Sequence, residues 1–492
     1  MVTRVSGGAA QGAPERKPAD QRIRGLLGAL FPLPADAAKR AGGRRRTVAG
    51  LQIAAVILGA GLLLLRIPGL PPWDSLYLDD YGTFFVRALE HPWQLFSPQH
   101  GYVQVLPHVI AQLATYVPLA QVPVVFAVSG AVIASACGLY VFHASAGHVR
   151  SRALRVLLGL AVVLLPVAPL EIADNTLGAP WYMLLALFWG VLWRPRTRTG
   201  MAVTALLAFL TAASTTIAVL FAPLLAIRLF VLRRPRDHAV TAGWLAGCLA
   251  QVPVVLSSAS GGQSPIDALS TSGVGLSLSF YGHDVVLPSL GWHLSWWLQS
   301  FAGRDGATVI VATVLGLVFA AILIAQPGSR LFVAVALLAG FGITFFSTTL
   351  VAYVSTSPPV TASREFGARY TALPIFLIES AIIVGADRAL RQWRQWKRTR
   401  QEHAGRPART LPAPALLTTA AVMALVTIMV VSWVPDFRYQ NAIRIDYTTG
   451  PWQKIVAMWR QDCAISRTGE IDVRAIRAIP RPQVIPCHRV RF

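Results

Sequence analysis

The chain has 492 residues, of which 54% are Ala, Val, Ile, Leu, Met, Phe, Trp, Tyr or Cys and only 13% are charged. With several nearly uncharged runs of about 18 or more residues, each enough to cross ~30 Å of hydrocarbon as a helix, these proportions exclude a water-soluble enzyme, a disordered chain, a collagen-like repeat and a disulfide scaffold. The net charge of +22 is distributed between the apolar runs, as the positive-inside rule requires, and no zinc-finger or RNA-binding signature accompanies it, so the expected partners are membrane lipids and not nucleic acid.

Residues 1–47 form a basic tail with ten Lys and Arg among the first fifty positions, expected in the cytoplasm. A first crossing is expected at 48–66, held by Arg44, Arg45 and Arg46, and further ones near 119–142, 153–169, 181–193, 200–213, 215–232, 240–257, 306–325, 331–353, 370–386 and 413–434. Ser214, Thr215 and Thr216 interrupt the fifth and sixth, which read either as one broken helix or as two joined by a tight turn. On this layout 29 of the 44 basic residues fall on the cytoplasmic side, and five in outer loops ahead of the C-terminal segment. The fold class is therefore an all-α polytopic transmembrane bundle of about eleven spans occupying 48–434. Its outer loops are 67–118, 170–180, 258–305 and 354–369, with interfacial helices among them. Residues 435–492 form an extracytoplasmic C-terminal segment, and the protein is expected in the plasma (inner) membrane.

Acids are scarce, 22 in all, so their positions carry information. Asp74, Asp79, Asp80 and Glu90 share the first outer loop with His91, His100 and several aromatics. A carboxylate there can take a proton from a sugar or lipid hydroxyl, or Asp80 can hold a divalent metal, Mg or Mn, against a diphosphate. The competing reading is that D-D-Y caps an interfacial helix. In the second loop Glu171, Asp174 and Asn175 precede Trp181 and Tyr182, a mixture of hydroxyl-binding groups and rings that suits carbohydrate, the rings serving equally as interfacial anchors. In the fourth, Arg364, Arg369 and Tyr370 offer guanidinium forks for phosphate. Glu379 stands about ten residues into the next span, a functional candidate by position. His283 and Asp284, adjacent in sequence, do not have helical metal-ligand spacing, and Trp292, Trp296 and Trp297 read as an interfacial helix. Cys463 and Cys487 in the polar outer tail are expected to form a disulfide.

The order of basic tail, first span, acidic outer loop with D-D-Y, many spans and an outer Arg-Tyr element resembles the GT-C superfamily of membrane glycosyltransferases. It looks most like uncharacterised actinobacterial polytopic proteins with E-x-x-x-N (Glu171 to Asn175) before an aromatic pair, R-Y-x-x-x-P (Arg369, Tyr370, Pro374) and a Trp/Cys tail (Trp452, Trp459, Cys463, Cys487). The resemblance implies transfer of a sugar from a polyprenyl-phosphate donor to an envelope glycan or lipid acceptor. Asp79 or Asp80 would then be base or metal ligand, Glu171 a second catalytic acid, and Arg364 and Arg369 the phosphate holders; Tyr370, Asp174, Asn175, Trp181 and His100 would contact substrate. The chain lacks the large soluble C-terminal domain and the W-W-D-Y-G element of peptide-glycosylating members. A lipid-linked glycan flippase or secondary transporter using Glu379 and the Ser214–Thr216 break is the alternative reading, and a non-catalytic envelope-assembly protein a third.

Overall fold

The structure is a computed structural model that describes residues 19–33, 45–77, 79–99, 101–168, 172–173, 175–259, 271–354, 368–402, 413–438, 451–466, 469–473 and 483–490. Helices dominate: α1 (Ala19–Leu27), α2 (Arg45–Leu64), α3 (Val105–Ala114), α4 (Val122–Ala144), α5 (Arg152–Val163), α6 (Ala179–Leu192), α7 (Arg198–Ala212), α8 (Ala222–Val231), α9 (Ala239–Ala259), α10 (Thr271–Phe280), α11 (Trp292–Ala325), α12 (Arg330–Val354), α13 (Ala368–Glu402), α14 (Ala413–Asp436) and α15 (Trp452–Ile465). Two antiparallel ladders interrupt this pattern, β1 (Pro98–Gln99) with β2 (Tyr102–Val103) and β3 (Glu470–Val473) with β4 (Gln483–Pro486). The all-α expectation describes the bundle and misses these ladders, which are too short to leave a legible alternation.

Each of the eleven expected crossing runs carries helix. Among the described residues, five helices are long and apolar enough to cross a membrane: Leu119–Gly147, Pro235–Leu256, Trp292–Ala325, Arg330–Thr348 and Ala415–Asp436. Val48–Leu64, Ala179–Leu192, Arg198–Ala212 and Thr216–Val231 are apolar but shorter. The expected interfacial helix and the span after it are joined in α11, where Gly303, at φ 73°, breaks the helical path between them.

Two helices form the centre. α6 buries all 14 of its residues, with Pro180 in its first turn where the missing N–H costs nothing, and α13 is buried continuously from Thr371 to Asp387. Helices apolar all round belong inside, and in lipid their association comes from close packing and hydrogen bonds rather than from leaving water. The closest packing joins α7 and α9: a Cβ on Gly243 would lie 2.1 Å from the Ala205 carbonyl oxygen, and one on Gly247 2.5 Å from that of Phe209. Spaced four apart, these glycines let the two backbones touch.

The Ser214–Thr216 interruption is a tight turn between two helices. Thr215 accepts a hydrogen bond from Ile217 N and so starts the next helix, while Ser214 Oγ accepts from Leu106 N at 3.0 Å. At the other extremes of the pair, Arg194 before α7 meets Asp237 after α8 at 3.1 Å, so the chain has doubled back. The loops thereby sort to two ends of the bundle. The upper end carries the first loop, the 172–178 turn and the C-terminal segment, joined through Trp452 Nε1 to Leu119 O at 2.8 Å and through Arg489 to Thr115 O. The lower end carries Leu30 to Leu33, the turn at Ser145 to Ser151, and the Arg194 and Asp237 loops; there the His148 ring lies 3.1 Å from Leu30 O.

Arg66, one of the five basic residues counted in outer loops, is buried. It is 1% exposed and donates to the carbonyls of Val163, Leu164 and Leu165, closing the C-terminal end of α5. Cys463 and Cys487 are disulfide-bonded with Cα atoms 5.4 Å apart, tying the end of α15 to the residues after β4.

Candidate functional site at the upper end

The upper end is assembled around a turn of π-helix at Asp80–Phe85, whose wider coil directs Asp79 and Asp80 to different neighbours. Asp80 is 1% exposed. Its oxygens accept from Thr176 N at 3.2 and 3.3 Å and from Thr176 Oγ1, so it anchors the turn that leads into α6. Asp79 accepts from Thr83 Oγ1 at 3.0 Å and makes no side-chain cap bond to its own turn, which sets aside the capping alternative at that residue.

The 172–178 turn is held from inside as well. Asn175 Oδ1 accepts from Gly178 N and Nδ2 donates to Ala173 O at 3.2 Å. A Cβ at Gly178 would sit 2.0 Å from the Ile172 carbonyl oxygen, so the turn closes only over glycine. Asn175, expected to touch substrate, thus braces its own loop.

β2 is held by Gln251 of α9, which clamps it on both sides: Val103 N donates to Oε1 at 2.7 Å and Nε2 donates to Val103 O at 2.9 Å. Tyr102 is presented from this strand. Burial pushes its phenol up to about 12; the charge of Arg369 opposes that rise, and Tyr370 and Asp79 add to it. The Arg369 guanidinium lies 5.2 Å from the Tyr370 ring centre, and that ring meets Trp181 edge-on at 5.2 Å. Arg369, Tyr370 and Trp181 therefore form a contiguous patch of guanidinium and rings, to which Tyr102 and Asp79 are coupled electrostatically. Asp80 stands behind it.

Next to this patch, Gln104 is 1% exposed and neither end of its amide finds a partner among the described residues. His108 packs edge-on against Phe84 at 5.2 Å, and burial first, then Arg87, pushes it down to about 4. Tyr102, Gln104, His108 and Thr176 were not singled out from the sequence. The i, i+2 spacing of Tyr102 and Gln104 was the available signal; nothing marked Thr176, whose role depends on a contact 96 residues away.

Glu171, Asp174, His100 and Arg364 lie outside the described residues. Asp74, counted with the acidic cluster, accepts from Gln453 N at 2.9 Å and serves the start of α15 instead. Among the described residues no three His, Cys, Asp or Glu come together. At Asp80 the carboxylate accepts from Thr176 N and Thr176 Oγ1, which fix it in place, and no metal step is built on it. Compared with protein-family models, with curated proteins and with solved structures, the chain finds no match.

Proposed function

We propose that the protein is a membrane glycosyltransferase of about eleven crossings, with the upper end extracytoplasmic and the N-terminus cytoplasmic, moving a sugar from a polyprenyl-phosphate donor to a glycan or lipid acceptor. The observation that carries this reading is the Arg369, Tyr370 and Trp181 cluster, with Tyr102 and Asp79 electrostatically coupled to it. A donor phosphate needs a cation where its leaving oxygen gains charge, and an acceptor hydroxyl needs a carboxylate within reach of its proton. In this scheme Asp79 takes the acceptor proton as the hydroxyl oxygen bonds to the sugar's anomeric carbon. The bond from that carbon to the phosphate oxygen breaks, and polyprenyl phosphate leaves with its charge opposed by Arg369. Tyr102 stays protonated at neutral pH and donates a hydrogen bond, while Trp181 and Tyr370 supply ring faces for the sugar. Asp80 is a positioning residue acting through Thr176.

Sugar transfer from a radiolabelled polyprenyl-phosphate hexose, measured in membranes, tests the assignment. Asp79→Asn should lose ~100-fold or more, since an amide cannot accept the proton. Asp80→Asn should lose less, together with thermal stability. Near-wild-type transfer by Asp79→Asn overturns the base assignment.

A secondary transporter or flippase is the second reading, favoured by one observation. Glu379, about a third of the way along α13, is fully buried, with the Trp433 indole N–H as a neighbouring donor and Arg66 as a nearby cation. If Glu379→Gln abolishes movement of a lipid-linked glycan across vesicles while Asp79→Asn retains it, this second reading replaces the first.

A further inference from the structure

At the lower end, the loops flanking the α7–α8 pair enclose a cavity of about 310 Å³ lined by Arg194, Arg196, Arg234 and Arg236 with Leu33 and Asp237. Among the described lining residues, four arginines face one acid, a net charge of +3. The acid is part of the framework. Asp237 is buried and binds Arg194 at 3.1 Å, and its carbonyl accepts from Arg228 Nε at 2.8 Å. Arg228, 1% exposed, also donates to Val191 O, so a buried guanidinium fastens the loop after α8 to the end of α6. The result is a built concavity with excess positive charge, of a size suited to one headgroup.

Its surroundings are apolar and open. Leu33 on the rim is 55% exposed, and the last turn of α8 exposes Leu229 and Phe230. Alongside, α1 exposes Ile23 and Leu26 on a helix whose Arg24 lies 4.6 Å from the Phe230 ring centre. Such a short helix, with cations beside exposed apolar side chains, lies at a headgroup boundary. A free phosphate would gain nothing from this apolar rim, whereas a lipid meets both parts at once. We propose that this pocket holds the phosphate of an anionic membrane lipid in the arginine forks, with its acyl chains against Leu33, Leu229 and Phe230. It is separate from the candidate catalytic patch, since residues 182–192 of α6, about 16 Å of helix, lie between them.

The test uses the full chain in mild detergent, with binding of phosphatidylglycerol, phosphatidylcholine or inorganic phosphate read by native mass spectrometry and by the shift in Tm. Phosphatidylglycerol should be retained and raise Tm, and phosphatidylcholine should do neither. The pair Arg234→Gln/Arg236→Gln should weaken retention at least tenfold. The pair Arg394→Gln/Arg398→Gln, removing equal charge from the exposed basic end of α13, should change it less than twofold. Arg234→Lys/Arg236→Lys keeps the charge without the planar fork and should fall between, which separates loss of binding from loss of folding. Equal weakening by both glutamine pairs would mean diffuse attraction and overturn the site. Equal retention of the choline lipid, or stabilisation by inorganic phosphate matching that by the lipid, would overturn the lipid assignment.

Discussion

At the scale of single residues, three of the scarce acids of this chain share one occupation. Asp387 accepts from Ser151 N at 2.7 Å where α5 begins, Asp436 from Trp292 N at 2.7 Å and His293 N at 3.0 Å where α11 begins, and Asp74 from Gln453 N where α15 begins. Each carboxylate comes from a distant element and meets helix-start N–H groups left without intrahelical partners, where the helix dipole also favours a negative charge. Asp436→Ala should therefore cost about 2 kcal/mol and Asp436→Asn distinctly less, because the amide still accepts hydrogen bonds; denaturation of the purified chain measures both. Thr176→Val leaves the buried Asp80 carboxylate short of a donor and should cost about 1–3 kcal/mol, with Thr176→Ser restoring most of it. His148 adds a pH dependence. Burial pushes it down to about 4, so the folded protein holds it neutral while the unfolded chain takes up a proton below about 6.5. Its stabilisation is complete above that value and falls as the pH drops towards 4, by about 2 kcal/mol at pH 5. Tm measured at pH 7.5 and 5 should show the loss, and His148→Gln should flatten it.

At the scale of elements, the α7–α9 contact shows how packing reaches the upper patch. Gly243 and Gly247 set the separation of the two helices, and Gln251, one turn further along α9, holds β2 and with it Tyr102. Gly247→Val should cost about 2 kcal/mol by overpacking and also lower activity, whereas Gln251→Glu, which removes donors only, should affect activity more than Tm. Helices such as these were legible because an apolar run long enough for lipid leaves one regular option for its backbone groups. The loops were not. Asp79 and Arg369 could be nominated from scarcity of charge, but neighbouring Asp80 looked equivalent until Thr176 was seen to hold it, and Asn175 looked like a ligand until its amide proved to close its own turn. Those distinctions rest on long-range contacts or on the path of one tight loop, and neither leaves a period in the sequence. Arg66 carries no such signal either: its partners are three carbonyls at the end of α5, about a hundred residues away.

At the scale of the whole molecule, the segregation of loops to two ends yields a direct test of sidedness. Trp93→Cys at the upper end should react with an impermeant maleimide in intact cells, and Thr197→Cys at the lower end only after lysis; the reverse pattern would invert the proposed orientation. Cys463→Ser with Cys487→Ser should lower stability by ~3 kcal/mol in the chain-entropy estimate, since the bond joins residues 24 apart. What that bond closes is seated on the first loop. Trp452 packs edge-on against Tyr81 at 5.6 Å, Asp74 meets the first turn of α15, and Arg489 reaches Thr115. Because residues 74–115 leave the ribosome hundreds of residues before α15 does, the proposed orientation has the Asp79 loop inserted but uncovered until the last part of the chain is synthesised, exported and oxidised. On that orientation, maturation of the patch is post-translational. A pulse-chase experiment should show protease sensitivity of the 74–115 loop persisting after membrane insertion and disappearing only with disulfide formation.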